Sequence, residues 1–150
     1  VLDQLRIWGA TVAEAPADRH DRAMAVVQAL RHFTTFVYGM HLAAEDVDLA
    51  EVLALSSPIY RLEIAMTGRL FAQDAGLYAD IVLGNEEGLA LAERYQERLA
   101  EALDLYRRGD REAFRRRFAE VRAWFGELAD VFLRESDVLL AQARDRVDHR

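Results

Sequence analysis

ALSSPIYRLEIAMTGRLFAQD, residues 54–74, reads as one helix with a defined start. Ser57 can cap a free backbone N–H, and Pro58 at the first helical position has no N–H to leave unbonded. Ile59, Leu62 and Met66 follow at helical spacing, and the next position on that stripe is Arg69. The row Arg61, Ala65, Gly68 and Ala72 is mostly small, and the row Glu63, Thr67 and Leu70 is mixed. With no continuous polar face, the helix is expected to be buried on most sides. A guanidinium there cannot discard its charge, so Arg69 needs an anion. Either Glu63 or Asp74 supplies it internally, or a bound ligand presents a carboxylate, which the planar fork of arginine suits.

Outward from this helix the text stays helical. Two prolines and eight glycines stand against abundant Ala, Leu, Glu and Arg, a balance that favours an all-α domain. Apolar periodicity predicts helices over about 21–43, 48–55, 58–72, 75–84, 86–108 and 110–147, the last two separated by Gly109-Asp110. Residues 1–8 read as the end of a helix. GATVAEA, residues 9–15, alternates enough to be a short strand before Pro16. A lone strand has no pairing partner in this chain, so residues 1–20 are expected to be the remnant of a preceding α/β domain and its linker, and residues 21–150 the helical domain. The chain opens without an initiator methionine, as if cut from something longer.

The 110–147 segment carries Phe114, Phe118, Val121, Phe125, Leu128, Phe132 and Leu139 at steps of three and four, interrupted by Glu135. That is a coiled-coil-like seam. A helix of about 38 residues would run roughly 57 Å, longer than a domain of this size is wide. Part of the seam should therefore pack on a second chain, giving a homodimer. The alternative is antiparallel packing on the 86–108 helix, whose stripe is Leu89, Ala92, Gln96, Leu99, Leu103 and Tyr106. The RRRF run at Arg115–Phe118 reads as a solvated face.

Composition excludes several classes. A formal net charge of -7 argues against tracking nucleic-acid phosphates. There is no cysteine and no apolar run long enough to span a membrane, which fits a soluble cytoplasmic protein. His20, His32, His41 and His149 form no HxxxH or ExxH pattern, so no metal site is expected, and His41 with Glu45 is a common surface pair. GxGxxG, GxxxxGK[ST] and GxSxG are absent. In HDRAMAVVQALRHFTTFVYGMH, residues 20–41, Met24, Val27, Leu30, Val37 and Met40 make a core stripe. Gln28, His32, Thr35 and Gly39 lie along the neighbouring face as a narrow polar groove. On spacing alone, His32 is either a satisfied histidine at a packing interface or a ligand group.

HDRAMAVVQALRHFTTFVYGMHL (20–42), LALSSPIYRLEIAMTGRLFAQDAGLYADI (53–81) and VRAWFGELADVFLRES (121–136) together resemble the C-terminal helical domain of prephenate dehydrogenase. The resemblance is nearest to the bifunctional chorismate mutase/prephenate dehydrogenase of tyrosine biosynthesis and runs over nearly the whole chain. It implies a helical dimerisation domain that closes over prephenate in a cleft shared with an N-terminal Rossmann domain, which binds NAD. RIWGATV (6–12) would be the last element of that domain. By the same resemblance, Arg69 receives a carboxylate of prephenate. His32 binds the substrate side chain and mediates inhibition by L-tyrosine, and Tyr78 lines the same pocket. Arg61 and Gln28 support them. The histidine that takes the ring hydroxyl proton belongs to the Rossmann domain and has no counterpart here, so no catalytic residue is assigned to this chain and the chain alone is expected to be inactive. Two rivals stand beside this reading. One is a small all-α chorismate mutase, suggested by Arg31, Arg61 and Arg69. The other is a purely structural dimerisation module in which Arg69 and His32 hold the dimer and no ligand site exists.

Overall fold

The computed structural model describes residues 2–84 and 86–147, which form helices joined by short connections, with no strand among them. The order is α1 (Leu2–Ile7), α2 (Ala17–Met24), a π-helical segment (Ala25–Leu30), α3 (Arg31–Ala44), α4 (Leu49–Leu55), α5 (Pro58–Phe71), α6 (Ala75–Leu83), α7 (Glu86–Arg108), α8 (Arg111–Phe125) and α9 (Leu128–Val147). Side-chain caps fix the starts. Asp48 accepts from the N–H groups of Ala50 and Glu51 at 2.9 and 3.1 Å, Ser57 from Tyr60 at 3.3 Å, Asp74 from Leu77 at 2.8 Å and Asp110 from Ala113 at 2.9 Å. Each such cap contributes about 1 kcal/mol.

Four expectations need correction. Residues 10–16 have no regular structure, so GATVAEA is not a strand among the described residues. Alternation alone cannot make one, because an extended segment needs a partner for its backbone groups. The first long helix begins at Ala17, directly after Pro16, and is interrupted by the π segment, where i→i+5 bonding inserts an extra residue and turns the following face. The 110–147 segment is two helices. Gly126 stops α8 with φ 56° and ψ -134°, a conformation closed to residues with a Cβ. Arg122 clamps the corner, donating to the Gly126 carbonyl at 2.7 Å and to both carboxylate oxygens of Asp130 at 2.9 Å. Finally, α5 is not buried on most sides: Thr67 is its one buried residue.

Packing explains that last point. Among the described residues the fully buried apolar side chains are Ala25 and Ala29 of the π segment, 0% and 2% exposed. α7 lies on that segment, with Gly88 as its buried residue, and methyl-sized side chains let the two backbones approach closely. α7 is thereby committed to the π segment and α6, and the aromatic seam of α8 and α9 does not lie antiparallel on it. α3 packs on α5, and their buried threonines bond back to their own helices, Thr35 to the Arg31 carbonyl at 2.8 Å and Thr67 to the Glu63 carbonyl at 3.0 Å. α9 returns to α5. Large apolar side chains stay uncovered over much of the chain, among them Ile59, Leu62 and Met66 on α5, and Phe114, Phe118, Val121, Trp124 and Phe132 on α8 and α9. The chain exposes 12564 Å², where a compact protein of 17.1 kDa would expose about 7,750 Å². Such a surplus of open, largely apolar surface belongs to a chain that completes its core against another. On the polar side, Arg115 pairs with Glu112 at 2.9 Å and Arg117 with Glu120 at 3.0 Å, all exposed, so the arginines of the RRRF run are solvated while its Phe118 belongs to the apolar seam.

Candidate functional site

α3, α5 and α6 enclose a pocket of about 250 Å³. Each wall follows from a local feature of the sequence. The absence of a side chain at Gly39 admits the Phe71 ring, which occupies the space a Cβ there would need. Phe71 then stacks on Phe36, one helical turn before Gly39, with centroids 6.0 Å apart and planes at 30°. Across the pocket His32 meets Tyr78 edge to face, at 4.8 Å and 76°. Tyr78 is carried there by α6, whose start is set by the Asp74 cap. Leu70 and Val82 add apolar surface, and the polar lining is His32, Gln73 and Tyr78.

His32 is the unusual member. Its Nδ1 is buried and makes no hydrogen bond, a position that costs free energy unless something else supplies the bond. Burial, and secondarily the charge of neighbouring Arg31, hold its pKa below 6.5. Both effects favour the neutral ring, in which one nitrogen is a donor and the other an acceptor. Beyond the pocket, the Tyr38 hydroxyl donates to that of Tyr60 over a long 3.5 Å. Tyr38 is pushed up to about 12, by that bond first, then by burial and the nearby Tyr60 and Glu63. The pair ties α3 to α5.

The pocket brings His32 and Tyr78 together and leaves the other expected residues outside its lining. Arg69 is exposed in the last turn of α5, and its guanidinium makes no ion pair or hydrogen bond among the described residues. Neither internal partner, Glu63 or Asp74, engages it, and the expected burial is absent because the packing of α3 and α9 on α5 leaves this stripe exposed among the described residues. Yet Arg69 is close to the site along the chain: its carbonyl accepts from Gln73 Nε2 at 2.9 Å, and Gln73 lines the pocket. Arg61 is exposed two turns earlier, about 12 Å along the helix axis. Gln28 is exposed on the π segment, which breaks the row it was expected to share with His32. Phe36, Phe71 and Gln73 line the pocket without having been singled out in the sequence, where two phenylalanines 35 positions apart carry no sign of meeting. His41 and Glu45 stand 3.9 Å apart on the surface. Among the described residues no group of three or more His, Asp or Glu could hold a metal ion, and no helix is long and apolar enough to cross a membrane.

The pocket is thus an apolar volume with three polar side chains, His32, Gln73 and Tyr78, in its lining, and Arg69 stands four residues before Gln73 along the chain. The family model described as "Prephenate dehydrogenase, dimerization domain" matches residues 16–120. The T-protein of Enterobacter agglomerans is 55% identical over 144 residues, covering 96% of this chain and 39% of that protein. The T-protein of Haemophilus influenzae is 51% identical over 145 residues, 97% of this chain and 38% of that protein. A probable arogenate/prephenate dehydrogenase of Methanocaldococcus jannaschii is 35% identical over 129 residues, 86% of this chain and 29% of that protein. The chain thus spans less than two fifths to about that share of the length of these relatives. With a helical architecture and a family match over most of its length, the chain belongs to the prephenate dehydrogenase dimerization-domain family.

Proposed function

We propose that this chain is the C-terminal helical domain of an NAD-dependent prephenate dehydrogenase of tyrosine biosynthesis, that it forms a homodimer, and that it supplies binding groups for prephenate and for the end product L-tyrosine. The observation that carries the ligand role is the buried Nδ1 of His32, without a hydrogen bond among the described residues, on a residue that lines a mostly apolar pocket. A ligand that brings its own polar side chain satisfies that nitrogen, while its ring lies against Phe36, Phe71 and Tyr78. Arg69, unpaired and one turn from Gln73, takes a substrate carboxylate. Arg61 and Gln28 are supporting positions, and residues 1–20 are the tail of the preceding nucleotide-binding domain.

The reaction removes hydride from the ring carbon that bears the hydroxyl, releases the ring carboxylate as CO2 and leaves 4-hydroxyphenylpyruvate. The sequence holds no glycine-rich dinucleotide fingerprint, so it does not fit NAD, which belongs to sequence outside this chain. The groups present bind and orient. The lowered pKa of His32 favours the neutral ring, which presents a hydrogen bond without competing as a cation for the carboxylate meant for Arg69.

The test is Arg69→Gln in the full-length protein. Loss of a charge-assisted bond of about 1.5 to 3 kcal/mol raises KM for prephenate roughly 10- to 100-fold. Melting should be unchanged, because no internal partner is stranded. A large fall in melting temperature with an unaltered KM would make Arg69 structural and sink this reading. NADH production by the isolated 150-residue chain would overturn the domain assignment.

A further inference from the structure

We propose that Gln73 and Asp74, at the corner between α5 and α6, recognise the ammonium group of an aromatic α-amino acid and so let the pocket distinguish it from the α-keto acid with the same ring and carboxylate. The inference rests on the ligand reading above and adds a specificity to it. Gln73 lines the pocket, and the identity of its amide atoms is fixed by chemistry: only the NH2 group can bond to the Arg69 carbonyl, at 2.9 Å. Nε2 is thereby turned back on the end of α5, and Oε1 of this exposed side chain has no protein partner among the described residues and is open as an acceptor. Asp74 follows directly and precedes Ala75, which also lines the pocket. Its Oδ1 caps α6 through the Leu77 N–H, but the carboxylate has no cation against it among the described residues.

Charges of both signs therefore stand around the pocket. Arg31 stands beside His32, and Arg69 lies in the last turn of α5, its carbonyl bonded by Gln73 Nε2 at 2.9 Å. Gln73 and Asp74 follow Arg69 at the exposed corner between α5 and α6, Gln73 in the pocket lining and Asp74 next to it in the chain. A zwitterion matches this field, its carboxylate toward the arginines and its ammonium toward Gln73 and Asp74. No arginine lines the pocket to repel the ammonium, and the lowered pKa of His32 favours its neutral ring. A keto acid presents a carbonyl oxygen where the ammonium would sit, against an acceptor and a negative charge, and gains nothing there.

The experiment measures binding of L-tyrosine and of 4-hydroxyphenylpyruvate to the full-length protein by calorimetry, for the wild type, Asp74→Asn and Gln73→Met. Asparagine caps a helix as well as aspartate, so Asp74→Asn removes the charge and keeps the α6 start. Gln73→Met keeps length and helix propensity without the acceptor. Each variant is expected to weaken L-tyrosine about three- to fivefold, the worth of a partly exposed charge contact, while 4-hydroxyphenylpyruvate binds as before or more tightly. An equal loss for both ligands, or no loss for L-tyrosine, would overturn the assignment of Gln73 and Asp74 and leave the pocket standing. A wild-type protein that binds neither ligand would overturn the pocket reading, and this inference with it.

Discussion

Replacing Phe118 by alanine isolates the contribution of the uncovered aromatic face to assembly. Phe118 is 66% exposed and, among the described residues, stacks on Phe114, 6.4 Å away. Complete burial of such a ring is worth about 1.5–3 kcal/mol, so covering the open two thirds gives roughly 1–2 kcal/mol per chain. In a twofold dimer each position is used twice, which makes about 2–4 kcal/mol per dimer and weakens association about 30- to 700-fold. The fold of a single chain should hardly respond, because the ring makes little contact within it. Sedimentation equilibrium over nanomolar to micromolar concentration measures both states, with Arg116→Ala on the same helix as the exposed control. A wild-type chain sedimenting as a stable, folded species of 17.1 kDa at micromolar concentration would refute the dimer. A Phe118→Ala dissociation constant equal to that of Arg116→Ala would remove α8 from the interface and turn attention to Ile59, Leu62 and Met66.

Gly39→Ala pushes the Phe71 ring out of its seat, at a cost of about 1–3 kcal/mol for overpacking. Chemical denaturation should register that loss, and calorimetry a weakened L-tyrosine affinity in the full-length protein. Gly126→Ala forces a Cβ into φ 56°, ψ -134°, costing about 1–3 kcal/mol and loosening the Arg122–Asp130 clamp, to be read from thermal unfolding. His32 has a folded pKa below its unfolded 6.5, so the unfolded chain binds more protons and stability falls as pH drops from about 7 through 6.5 toward the folded value. The melting temperature of His32→Gln should fall less than that of the wild type between pH 7.5 and 5.5, and NMR titration should place the His32 midpoint below 6.5.

The helical class was legible because it rests on local chemistry. Ser57-Pro58, Asp74 and Asp110 act on the first turn that follows them, whatever the rest of the chain does, and the spacing of Ile59, Leu62 and Met66 marks a face wherever that face points. The seam from Phe114 to Leu139 was read correctly as an apolar row and wrongly as one helix. Steps of three and four continue across Gly126, so periodicity could not report the break that its positive φ makes. The unpaired charge of Arg69 was visible as an oddity on its stripe, but its exposure was not. Burial depends on which helix arrives to cover α5, and no residue within α5 encodes that arrival. The pocket lies furthest from the sequence. Phe36 and Phe71 become neighbours only because Gly39 lets α5 close on α3, and His32 faces Tyr78 only after the π segment has turned α3. Such contacts depend on the relative placement of helices distant along the chain, which is fixed by close packing at a few small residues, and the pattern of a single helix carries no record of it.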